Sequence, residues 1–123
     1  MPSITKGPND PVSVVVAVKN TGNVALSNTK IRIQLRQDIP GTGANMAFSD
    51  YQTVSLNVGE QKTLPAFVFG SGTLLLFSFN PYPVKVLVLY SVNGSAEQVY
   101  DSGWTISVTQ AAKQISITSV AVT

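Results

Sequence analysis

The sequence predicts an all-β protein, an antiparallel β-sandwich of seven to nine strands, and three observations carry that reading. Apolar and polar residues alternate with period two, and no stretch of ten or more residues keeps a helical 3.6 period. β-branched residues crowd the alternating segments, which suits a pleated surface and resists a helix. Short runs of Gly, Pro and Asn separate the segments, as sandwich strands require. The 123 residues fit a single hydrophobic core, so one domain is expected over 12–123, preceded by an extension over 1–11.

The first strand places Val12, Val14, Val16 and Val18 on one face, against Ser13, Val15, Ala17 and Lys19. Asn20-Thr21-Gly22-Asn23 then reads as a turn, with Gly22 free to take a positive φ. In the next strand Ile31, Ile33 and Leu35 point inward, while Lys30, Arg32, Gln34 and Arg36 point to water. Residues 37–50 (QDIPGTGANMAFSD) hold Pro, two Gly, Asn and Asp and read as a long loop, a place where individual function often sits. Tyr51 to Leu56 is a short strand, and Asn57 to Glu60 a turn. Gln61 to Phe69 is a strand whose Pro65 calls for an edge or a bulge.

Beyond the Gly70-Ser71-Gly72 turn, Thr73 to Phe79 reads as a strand and Asn80-Pro81-Tyr82-Pro83 as a rigid corner. Val84 to Val92 and Ala96 to Asp101 form a hairpin around Asn93-Gly94. The same residues make a glycosylation sequon with Ser95, which the turn explains without a sugar. Trp104, Ile106 and Val108 share one face, which places Trp104 in the core. The tail, 115–123, reads as an extra strand. Ile115 and Ile117 are out of phase with Val120 and Val122, so it needs a bulge near Thr118-Ser119 or a second packing partner.

Two of these pieces resemble a known family in order and spacing. VSVVVAVKNTGN (Val12 to Asn23), leading to IRIQL, and VSLNVGEQKTLPAFVF (Val54 to Phe69) look like the CARDB-type immunoglobulin-like domains of bacterial and archaeal surface proteins. The resemblance covers about the first 70 residues. It implies an immunoglobulin-like sandwich with a structural or adhesive role and brings no catalytic residues. The turns at Asn20-Thr21-Gly22 and Gly59-Glu60 match as architecture, whereas the 37–50 loop and the tail strand depart from the pattern.

Composition excludes several chemistries. Without Cys or His there is no disulfide, no thiolate or imidazole catalysis and no zinc finger. At 44% hydrophobic and 11% charged, the chain lies outside the range of disordered sequences. The serines lack a base to activate them, and neither Gly41-Thr42-Gly43 nor Gly70-Ser71-Gly72 has the context of a phosphate-binding loop. Asp38 and Asp50 bracket the long loop, but no D-x-D-x-D pattern marks them as calcium ligands. No catalytic, cofactor or metal residue is therefore assigned, and the chain is read as no enzyme. The net charge of +2 rests on scattered cations, which argues against nucleic acid as a partner. MPSITKGPNDP has no signal-peptide core, and Leu64 to Phe79 is too broken to span a membrane.

The positive signal is an excess of apolar side chains. In Thr73 to Phe79, Leu74 and Leu76 lie opposite Leu75, Phe77 and Phe79; in Val84 to Val92, Leu87 and Leu89 lie opposite the valines. One sandwich face needs one apolar set, so Leu74, Leu76, Leu87 and Leu89 are expected to face a partner or a second copy. Tyr82 is expected to be the most exposed large aromatic. The function expected is a non-enzymatic structural or adhesive module of an extracellular, cell-surface or virion assembly. The alternative is a carbohydrate-binding module built on Tyr82 and loop aromatics.

Overall fold

The computed structural model describes residues 2–111 and 118–122, and within them the protein is all-β. Ten strands are assigned, β1 (Ser3–Lys6), β2 (Val12–Val14), β3 (Ala17–Lys19), β4 (Leu26–Ile39), β5 (Gly43–Phe48), β6 (Gln52–Leu56), β7 (Gln61–Thr63), β8 (Phe67–Phe69), β9 (Val84–Val92) and β10 (Gln98–Val108). One sheet runs β1-β10-β9-β4-β5, with β6 also on β4; all of its pairings are antiparallel except β1 with β10. A narrow ribbon, β2 with β8 and β3 with β7, contributes apolar residues to the core shared with that sheet, an arrangement consistent with a β-sandwich.

The ribbon shows why Pro65 is tolerated. Val14 opposes Phe67 and Ala17 opposes Thr63, so two residues on one strand face three on the other. That bulge absorbs Pro65 and restores phase, letting Leu64 join Phe67 and Phe69 in the core. The Leu64 N–H still donates to the Val16 carbonyl at 2.9 Å. Interruptions here split two expected strands into four; β1 and β5 add two more, while the expected 73–79 strand is absent and the two expected after Gly94 merge into β10, leaving ten among the described residues.

Several expectations are corrected. Residues 1–11 are not merely an extension, because Ser3–Lys6 joins the sheet beside β10. The 37–50 segment is no long loop: β4 continues to Ile39, turns through Pro40, Gly41 and Thr42, and returns as β5. Gly41 and Gly43 take φ of 80° and 113°, which makes so tight a return possible. Thr73–Phe77 is a 3-10 turn rather than a strand, and it buries Leu74 and Phe77, three residues apart. The tail strand expected at 115–123 falls partly outside the described residues, and Thr118 to Val122 form no strand.

Asn20 closes the turn that Gly22 was expected to make. Its side chain accepts from the Gly22 N–H at 3.0 Å and donates to the Val24 and Leu56 carbonyls. Its main chain bonds Glu60 and Gly59, so the two turns of the family-like pieces are tied together. The Asn93-Gly94 turn has both φ values positive, as a two-residue hairpin requires.

The core joins Ile31, Ile33 and Leu35 of β4 to Phe67, Phe69, Val84, Ile106 and their neighbours. Thr29 faces it with a buried hydroxyl that has no partner among the described residues. Replacing Thr29 by valine removes that orphan at nearly constant shape, and is expected to raise stability by about 1 kcal/mol in urea unfolding.

Candidate interaction surfaces

The four leucines expected to form one partner face do not come together, and Tyr82 lies apart from them. Leu74 lies in the core with no exposed surface. Leu87 and Leu89 do stand on the outer face of the large sheet, away from the core cluster, but are only 8% and 3% exposed. Leu89 is flanked in register by Arg32 and Val99, and Leu87 by Gln34 and Asp101. Leu76 is exposed on the 3-10 turn, and Tyr82 stands in a separate cleft.

What the outer face presents instead comes largely from β5, which sequence reasoning read as loop. In register, Phe48 opposes Gln34 and Met46 opposes Arg36, so both project beside the leucines. The Arg32 guanidinium lies over the rings of Phe48 and Tyr51, at 4.4 and 4.6 Å from their centroids. Its Nε and Nη2 donate to Glu97, and the Tyr51 hydroxyl donates to the same carboxylate at 3.0 Å. Met46, Phe48, Tyr51 and Val99 remain exposed around this charge-neutral centre. The alternation Met46, Phe48 following a Gly-rich turn was the sequence signal for β5.

The Arg32 hydrogen bonds hold the Glu97 carboxyl below its usual range, while burial, with the bond to Glu97, pushes the Tyr51 phenol up. A carboxylate whose folded pKa is depressed stabilises the fold above its unfolded pKa, and that contribution fades as pH falls through the folded value. Glu97→Gln is therefore expected to lower stability at neutral pH by under about 1 kcal/mol, given its exposure. Urea midpoints of the two proteins should converge on acidification below the ordinary carboxylate range.

A second surface lies inside the layers. The ribbon is two strands wide and the sheet opposite is broader, so β1, β9 and β10 present more apolar face than it covers. The result is a cleft of about 530 Å³ lined by Ile4, Val12 to Ala17, Val86, Val88, Tyr100, Ser102, Trp104 and Ile106. No lining residue is charged. Trp104 shares a face with Ile106 as its alternation implied, yet it lies beyond the ribbon and is 46% exposed. Tyr100, at 61%, is more exposed than Tyr82, at 39%, which corrects the expected ranking of the aromatics.

A third surface is a second cleft, also of about 530 Å³, which places Tyr82 and Pro83 beside Arg36, Asp38, Pro40 and Lys85. Asp38 pairs with Arg36 at 2.8 Å and with Lys85 at 3.7 Å, and the Arg36 bond foremost draws its carboxyl down. Asp38 is thus engaged by two cations of its own chain.

Among the described residues no helix is long and apolar enough to cross a membrane. No protein-family model matches the chain, and no curated protein does. A solved structure similar to it is the crystal structure of Spo0M, sporulation control protein, from Bacillus subtilis, at a TM-score of 0.54 and 17% identity. The likeness covers 87% of this chain and 46% of that one, so this chain matches under half the length of its structural neighbour. At that identity the likeness extends to the fold alone.

Proposed function

We propose that this chain is a non-enzymatic structural or adhesive module, an immunoglobulin-like sandwich that works by contact between its own copies in an extracellular assembly. A surface filament, an envelope layer or a virion exterior suits a coat with so few charges. The observation that carries the reading is the outer face around Arg32. Aromatic residues, Met and Arg are the types enriched at protein interfaces, and four such side chains (Arg32, Met46, Phe48 and Tyr51) gather there with Val99. Arg32 is neutralised by Glu97, so two copies of the patch meet without like-charge repulsion.

Sedimentation velocity across a concentration series tests this. Wild-type protein is expected to associate as concentration rises. Phe48→Lys and Val99→Lys, both at exposed positions, are expected to weaken that association at least tenfold without altering the fold. Association untouched by both substitutions would overturn the reading.

The carbohydrate-binding alternative draws on the Tyr82 cleft, where an exposed tyrosine borders charged hydrogen-bonding groups. It expects signals on a glycan array that Tyr82→Ala abolishes; signals that survive the substitution, or none at all, would discard it.

A further inference from the structure

We infer that the uncharged cleft accepts a β-strand, and that the strand is residues 118–122 of a second copy of this chain. The inference rests on the reading of the protein as a module joined through its own copies, but uses a different surface from the Arg32 face. Three observations converge on it.

The first is an open backbone edge. Among the described residues β2 pairs only with β8, and β3 only with β7. The main chain of Asn20 donates to Glu60 and accepts from Gly59, so strand alternation turns the groups of Lys19 and Ala17 to the opposite side. An edge of unpaired N–H and C=O groups is a template for another strand.

The second is the wall beside that edge. Tyr100, Trp104, Val86, Val88 and Ile4 line the cleft opposite Val12 to Ala17, with no charged group among them. Strand addition takes affinity from the main chain and specificity from pockets for alternate side chains. This cleft selects an uncharged strand with small aliphatic residues at every second position.

The third is that the chain carries such a strand. Thr118 to Val122 reads TSVAV, has no charge and forms no strand, and its Val120 and Val122 are 81% and 93% exposed. Five extended residues span about 17 Å, which fits the roughly 20 Å of edge from Val12 to Ala17. Each copy then offers one donor and one acceptor. Such a head-to-tail contact repeats into rings or filaments rather than closing as a symmetric pair.

The experiment uses two full-length variants, the donor-defective Val120→Asp/Val122→Asp and the acceptor-defective Val15→Lys/Trp104→Lys, whose substitutions fall at exposed positions. Wild type is expected to form a concentration-dependent series of oligomers in sedimentation velocity. With Phe48→Lys added to silence the outer face, each variant alone should remain monomeric, and the two mixed in equal amounts should give a dimer and nothing larger, because one good donor meets one good acceptor. Circular dichroism matching wild type shows that the variants are folded; should the Trp104 substitution unfold the chain, Val15→Lys alone serves as acceptor-defective partner. A wild type that stays monomeric at every concentration, or a mixture that stays monomeric, would overturn the proposal. So would association that survives the donor substitutions but is lost in Phe48→Lys, an outcome that leaves the outer-face reading standing.

Discussion

Leucine at position 37 is expected to lower the unfolding free energy by about 3 kcal/mol, although it fills nearly the same volume as the glutamine it replaces. Gln37 has no exposed surface. Its Nε2 lies 3.0, 3.0 and 2.9 Å from the carbonyls of Phe77, Asn80 and Tyr82, its two hydrogens shared among the three, and its Oε1 accepts from Asn45 at 3.1 Å. One side chain of β4 thereby pins the 3-10 turn and the proline corner to the sheet. Leucine leaves those carbonyls and the Asn45 amide without their partner, and each buried orphan costs about 1–3 kcal/mol. Two of the carbonyl bonds are only partly buried, so water recovers some of the loss. The urea midpoint should fall with the slope unchanged. A loss below about 1 kcal/mol would mean that the corner is held by something else.

Phe77→Ala is expected to cost about 4 kcal/mol, the range for emptying a buried aromatic site. Phe77 and Leu74 are fully buried on one side of the 3-10 turn, and both belong to the core cluster. Leu76→Ala, at an exposed position, should cost well under 1 kcal/mol, whereas Leu74→Ala should cost about 2–5 kcal/mol; a strand would set Leu74 and Phe77 on opposite faces and would not make both substitutions costly. Because Gln37 bonds the Phe77 carbonyl, the two substitutions share a structure and their effects should combine to less than their sum.

Those two positions also mark where the sequence misleads. Periodicity placed the core-facing residues of Val12 to Lys19 and Ile31 to Arg36, although Gln34, expected at water, is only 6% exposed, and Val84 to Val92 is covered on both faces, with Leu87 and Leu89 buried as well as Val84 and Val86. Periodicity failed at Thr73 to Phe77 because four apolar residues in a row, Leu74 to Phe77, carry no period, and length with β-propensity does not separate a 3-10 turn from a strand. The 37–50 segment misled differently. Its Pro and Gly are real turn signals, but they occupy three residues of a hairpin loop, and Gln37 reads as surface until its four partners are seen.

The interaction surfaces were legible as a quantity but not as a place. The apolar excess is real, yet Leu87 and Leu89 are covered by neighbours on their own sheet, while Trp104 and Tyr100 stay open because the facing ribbon is narrow. How far one layer extends over another depends on strand pairing between distant segments, which no local pattern records. Arg32 was visible as an outward cation; its stacking on Phe48 and Tyr51 required the register of β4 with β5.

Whether copies of this chain meet through the Arg32 face is tested most directly by hydroxyl-radical footprinting in dilute and in concentrated solution. Met46, Phe48, Tyr51 and Val99 are exposed in the single chain and should all be oxidised when it is dilute. Concentration should protect these four together, while Leu76 and Tyr82, exposed elsewhere, keep their reactivity. Equal oxidation of the four at both concentrations would contradict the proposed contact.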